Sequence, residues 1–151
     1  GEGTQFAKIV FVAEGILCSY VYDDNGQEII KIFISPLEFF AEIDSFEKGT
    51  PCAFNVKAIT PCKIMTLSKT DAEKLTQQVT GWELAMKNEA VKAMNSMIRK
   101  QEFLSVGEAA DKYRHFVKHF PQLALEVPLK YIASYLQITQ SSLSRIRKQG
   151  W

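Results

Sequence analysis

The side chains best equipped for chemistry in this 151-residue chain gather near its end. Gln140, Ser141, Ser142, Ser144 and Arg145 stand together, with Thr139 just before them, Arg147 and Lys148 just after, and Lys130 upstream. What they offer is recognition, not bond making. Short hydroxyls and an amide can hydrogen-bond base edges or phosphates, and a guanidinium can bond a guanine edge bidentately. Lys130, Arg147 and Lys148 can neutralise phosphates. Residues 127–151 carry four basic groups and no Asp or Glu, a local charge of +4. The rest of the chain has 14 basic and 17 acidic groups, a local charge of −3, so the overall +1 conceals a strong asymmetry. Duplex DNA is densely negative, and a single carboxylate in its groove would oppose binding.

Other candidate chemistry is thinner. His115 and His119 have the four-residue spacing of metal ligands on a helix, and Asp111 falls on the same face. No nearby Cys completes a set, so a solvated helix face is the favoured reading and no metal is expected. The three cysteines, Cys18, Cys52 and Cys62, lack CxxC spacing and read as reduced thiols of a cytoplasmic protein. There is no Ser-His-Asp arrangement, no carboxylate pair with a plausible cleft and no P-loop, which weighs against an enzyme and leaves no cofactor expected. No apolar run approaches the roughly 18 residues of a membrane span. Gly1-Glu2-Gly3 lacks the basic and apolar regions of a signal peptide.

The elements that must hold the basic cluster are themselves readable. Pro128 suits the first turn of a helix on which Ile132, Ala133 and Leu136 form one apolar face. Ile138 falls in a short turn. Thr139 can cap a second helix, Gln140 to Lys148, whose apolar positions are Leu143 and Ile146. A small Ala early in the first helix and a four-residue turn follow the helix-turn-helix template, in which the second helix enters the major groove. Gln137 ends the first helix where a left-handed residue commonly sits, so a positive φ is expected there.

Upstream, residues to about 70 read as β structure. Lys8–Ala13, Ile16–Tyr22, Glu28–Ile34, Phe54–Ile59 and Lys63–Leu67 are strand candidates separated by turn signals. Asn25-Gly26 predicts a type I′ hairpin turn. Leu37–Ile43 is expected to form one helical turn. Thr70-x-x-Glu73 reads as a capping box opening a helix to about Val79, which Gly81 breaks. From Trp82 to Leu104 there is no Gly or Pro. Leu84, Val91 and Ile98 recur every seven residues with Met94 between them, a coiled-coil-like seam and a candidate dimer interface. Ser105-x-x-Glu108 reads as a second capping box, opening a helix that Pro121 ends.

With these features in place, the chain resembles the Crp–Fnr superfamily of bacterial transcription regulators. The resemblance is carried by Phe11-Val-Ala-Glu-Gly-Ile-Leu17, Asp24-Asn-Gly-Gln-Glu28, Leu37-Glu-Phe-Phe-Ala-Glu-Ile43, Leu67-Ser68 and the segment 129–148. It implies an α+β chain: an antiparallel, jelly-roll-like β-roll of cyclic-nucleotide-binding type over 1–80, a dimerisation helix over 81–104, and a helix-turn-helix over 105–151. On this alignment residue 1 falls inside the sensor domain and residue 151 directly after the recognition helix. The family usually places Gly where this chain has Gln137.

The resemblance also implies an effector pocket at Ala41, Glu42, Cys52 and Ala53. Nucleotide-binding members there carry a Gly-Glu pair, then Arg and Ser or Thr about ten residues on. Glu42 remains able to meet a ribose hydroxyl, but the arginine that pairs with a cyclic phosphate is missing. Cys52 opens a redox or covalent sensor as an idea, against which a buried thiol is the plainer reading. Phe39, Phe40, Phe46 and Phe54 are read as core in preference to an apolar pocket. The expected partners are double-stranded DNA, a second copy of the chain, RNA polymerase, and a small-molecule effector that is not cyclic AMP. The competing reading is a ligand-binding or scaffold protein whose terminal helices mediate protein contacts.

Overall fold

The computed structural model describes residues 8–105 and 107–150; the Gly1–Gly3 segment read above lies outside them. Strands β1 (Lys8–Glu14), β2 (Leu17–Tyr22), β3 (Glu28–Ile34), β4 (Phe39–Phe40), β5 (Asn55–Ala58) and β6 (Lys63–Ser68) form two antiparallel sheets, ordered β4-β1-β6 and β3-β2-β5. The helices are α1 (Ile43–Lys48), α2 (Lys69–Gln78), α3 (Trp82–Ser105), α4 (Ala109–His119), α5 (Pro121–Glu126), α6 (Leu129–Leu136) and α7 (Gln140–Lys148).

Alternation along the strands divides the protein into two cores. Val10, Val12, Leu17, Ile34 and Phe40 pack between the sheets, with Phe54 and Val56 against them. Ile16, Cys18 and Ile30 point the other way and join Phe116, Leu123, Ile132, Leu136 and Leu143 of the C-terminal helices. The β3-β2-β5 sheet, the middle layer between the β4-β1-β6 sheet and the C-terminal helices, therefore serves both cores. A register shift makes this possible: Ser19 pairs with Ile32, but Tyr20 pairs with Ile30, and Lys31 is passed over. One extra residue reverses which face the following side chain takes. Ile30 thus leaves the inner face that Ile34 and Ile32 share and becomes fully buried under the helices. Gly15 joins β1 to β2 at φ 84, and a Cβ there would lie 2.2 Å from the Pro61 carbonyl oxygen.

Several local expectations are corrected. The β2–β3 turn is not type I′, because only Gly26 (φ 76) takes positive φ in it. Gly26 N–H donates to the Asp23 C=O at 2.9 Å, and Asp23 Oδ1 accepts from the Asn25 and Gln27 amides. The Asp23 carboxylate stabilises a loop in which Asn25 does not take positive φ. The expected helical turn at Leu37–Ile43 is instead β4, where Phe39 and Phe40 pair with Phe11 and Val10. Two aromatic residues gain more as ladder partners beside an apolar strand than as one helical turn. The helix starts later, with the Glu42 carboxylate accepting from Ser45 N–H at 2.6 Å as its N-cap.

The two capping boxes also shift. Ser68, not Thr70, caps α2, accepting from Asp71 N–H, so the reciprocal pair is Ser68–Asp71. Ser105 belongs to the last turn of α3, where its hydroxyl donates to the Glu102 carbonyl. Glu108 is then the N-cap of α4, without a side-chain bond. Pro121 ends α4 and also opens a helix not anticipated from the sequence, α5.

Candidate nucleic-acid interface

Helix α7 forms with the bounds its periodicity implies, and α6 begins one residue after Pro128, which is its N-cap and not part of its first turn. Pro128 precedes α6, and Ile132, Ala133 and Leu136 are buried. Thr139 Oγ1 accepts from Ser142 N–H at 3.1 Å, which caps α7. Leu143 is fully buried and anchors α7 beneath α4 and α6, while Ile146 is half-buried. Gln137 has φ 55 and ψ 44, the left-handed conformation expected. Its amide donates back to α6, and Ile138 N–H reaches the Ala133 carbonyl at 3.0 Å. A side chain in this region carries Cβ strain that Gly lacks. Gln137→Gly should therefore raise stability by roughly 0.5–1 kcal/mol despite the entropy of Gly in the unfolded chain. The midpoint of urea unfolding measures this, and a lowered midpoint would count against it.

The polar residues of α7 share one exposed surface. Thr139, Gln140, Ser141, Arg145, Arg147 and Lys148 are exposed, whereas Ser142 and Ser144 are half-buried. Ser142 is occupied by the cap, and Arg145 rests on its hydroxyl at 3.4 Å. Lys130 sits apart at the start of α6, 4.6 Å over the Tyr131 ring. All basic groups of the last helical turn, Arg145, Arg147 and Lys148, complement the helix dipole there.

The helix-turn-helix docks on the middle sheet through residues that sequence reasoning passed over. Ser134 bonds the Glu28 carbonyl and the Ile30 amide. Lys57, ion-paired with Glu28, lies between the Tyr20 and Tyr131 rings at 4.6 and 4.7 Å. Lys100 of α3 lies 4.1 Å over Tyr135, and burial pushes its pKa down to about 8, with Lys31 adding to the effect. Burial raises the Tyr135 hydroxyl to about 12. A cleft of about 890 Å³ separates Gln27, Glu28 and Ile29 from Gln137, Thr139 and Gln140. The one sequence signal for Ser134 was a hydroxyl set among the apolar residues of α6.

The effector-pocket residues are less closely assembled. Cys52 is buried, its thiol 3.1 Å from the Phe54 carbonyl, while Ala53 is exposed. Glu42 is occupied as the cap of α1. Phe40 and Phe54 pack on each other at 5.5 Å in the inner core. Burial lifts the Cys18 thiol to about 11, which keeps it protonated and unreactive. His115 and His119 stack beside the buried Phe103 ring at 5.9 and 5.3 Å. Among the described residues no group of three or more His, Cys, Asp or Glu could hold a metal, and no helix is long and apolar enough to cross a membrane.

On α3, Leu84, Val91, Met94 and Ile98 are 62%, 43%, 56% and 52% exposed. The heptad seam is thus left uncovered within one chain.

Comparison with known proteins places this geometry. Residues 1–79 match the family model for the cyclic nucleotide-binding domain. A stretch of 75 residues is 29% identical to the cAMP-activated global transcriptional regulator CRP of Pasteurella multocida, and spans half of this chain but only 36% of that relative. FixK2 from Bradyrhizobium japonicum superposes with a TM-score of 0.81 at 18% identity, over 99% of this chain and 77% of that one. The c-di-GMP-responsive global regulator CLP of Xanthomonas campestris superposes with a TM-score of 0.68 at 16% identity, over 98% and 79%. The family model covers just over half of the chain, so the chain belongs to the cyclic nucleotide-binding domain family, and it shares the fold of FixK2 and CLP along nearly its whole length.

Proposed function

We propose that the chain is a homodimeric, sequence-specific DNA-binding regulator with a β-roll sensor over 1–80, a dimer helix over 81–104 and a DNA-binding unit over 105–151. The observation that carries this reading is α7. Its buried Leu143 and capped N-terminus hold a rigid helix, and its outer surface offers Gln140, Ser141, Arg145, Arg147 and Lys148 with no acid among them. A helix so presented can read base edges while its cations meet phosphates. The test is a salt series on a selected duplex. Log affinity should fall linearly with log salt, with a slope near −0.9 for each phosphate neutralised. A flat response, or equal affinity for unrelated duplexes, would favour terminal helices that bind protein.

The same reading gives the sensor an uncharged or apolar effector, or none. A cyclic phosphate keeps its charge when buried, and an unpaired buried charge costs several kcal/mol. The two nearest cations along the chain are both engaged: Lys48 pairs with Asp44 at 2.7 Å, and Lys57 faces the helix-turn-helix with Glu28. Low-micromolar binding of cyclic AMP in isothermal titration would overturn this part of the reading. RNA polymerase, as the machinery such a regulator acts upon, belongs to the proposal as a partner.

A further inference from the structure

Strand β3 forms one edge of its sheet, with ladder bonds reaching it from β2. Its pairing skips Lys31, and a bulge of this kind leaves backbone groups off the ladder. Side chains from two different helices occupy that edge. Ser134 Oγ on α6 accepts from Ile30 N–H at 3.0 Å and donates to the Glu28 carbonyl at 2.9 Å. It thereby replaces a missing strand partner with one hydroxyl. Lys100 Nζ on α3 donates to the Ile30 carbonyl at 3.0 Å and the Lys31 carbonyl at 2.7 Å. The ammonium also lies over the Tyr135 ring, one residue beyond Ser134, so α3, β3 and α6 close a ring of contacts.

We propose that Ser134 and Lys100 are positioning residues for DNA recognition: by filling the bulged edge of β3 they lock the helix-turn-helix in one attitude to the dimer helix. This rests on the DNA-binding dimer proposed above. The consequence is geometric. α3 carries the seam that sets the two-fold axis, and α6 leads directly into α7. With both gripping the same strand, the separation of the two recognition helices becomes a rigid property. A loosened helix-turn-helix can still bind one half-site. To bind two it must first give up orientational freedom, which weakens the paired complex alone. The outer face of α7 is exposed in the clamped arrangement, so the clamp leaves the DNA-contacting groups free.

The experiment compares wild type with S134A, K100M and the double variant, all in the full chain. Affinity is measured for a single half-site duplex, for two half-sites at the preferred spacing, and for spacings altered by one or two base pairs. Half-site affinity should stay within about twofold of wild type. The double variant should lose roughly tenfold on the paired site, about what one unpaired buried group amounts to, and should discriminate less between spacings. A merely structural role would not move spacing preference selectively. Parallel losses on single and paired sites, or no loss on either, would overturn the proposal. A second measurement needs no DNA: amide exchange at Ile30 should quicken roughly tenfold in S134A. Unchanged protection at Ile30 would refute the clamp itself. Absence of any DNA binding by wild type would instead refute the DNA reading and leave the exchange result to decide the clamp.

Discussion

Replacing Val91 and Ile98 together by Glu should convert the protein to monomers. The two residues lie seven apart on α3, at 43% and 52% exposure, flanked by the still more open Leu84, Met94 and Met97. A 24-residue helix with an apolar seam along its length needs a second surface to cover it. A two-fold interface uses the same patch twice, so each substitution enters it twice. Every carboxylate buried there without a partner costs several kcal/mol, far more than a dimer contact of this kind can offset. Because both positions are open within one chain, the fold of each monomer should survive. Sedimentation velocity reads the outcome directly. DNA affinity should fall once dimerisation is lost, because two recognition helices about 34–36 Å apart would no longer arrive together. Dimers that persist would place the interface elsewhere.

Arg145→Ala should cost roughly 1–3 kcal/mol on the preferred site and relax selection at one base pair. Arg145 projects from the exposed face one turn beyond Ser141, opposite the buried Leu143. Among the described residues its guanidinium bonds the Ser142 hydroxyl at 3.4 Å, a long contact, so little is given up when it turns to a guanine edge. Arg147 should behave differently. Its loss should weaken all sequences about equally and lower the salt slope by about one, as expected for a phosphate contact. Binding-site selection with each variant separates the two. Unaltered specificity in Arg145→Ala would show that α7 is not the reading helix.

Much of the fold was legible because its signals are short in range. The bounds of α7 follow from Thr139 as a cap and from the spacing of Leu143 and Ile146, all within one helix. The left-handed Gln137 follows from its place at the end of α6. Strand β3 matched its sequence pattern from Glu28 to Ile34. Errors arose where two local signals competed. Thr70-x-x-Glu73 and Ser68-x-x-Asp71 offer nearly the same box, and the ladder pairing of Ser68 with Lys8 fixed where the strand ends and the helix begins. Leu37–Ile43 has apolar residues that suit either a helical turn or a strand, and its partner β1 decided the matter.

By itself the sequence determined strands β1, β2, β3, β5 and β6, the acid-free helix α7 and the apolar seam of α3, since each depends on residue type and on spacing along a single helix or strand. Only the tertiary structure decided how the helix-turn-helix sits on the sensor sheet. That contact joins Ile30 to Ser134, 104 residues apart, and depends on Lys31 being skipped in the ladder. A pairing register is set by both strands and by what covers them, so no local pattern records it. The same holds for Lys57 and Lys100. In the sequence they are two cations among 18; in the fold one pairs with Glu28 beneath Tyr131, and the other fills the edge of β3 under Tyr135.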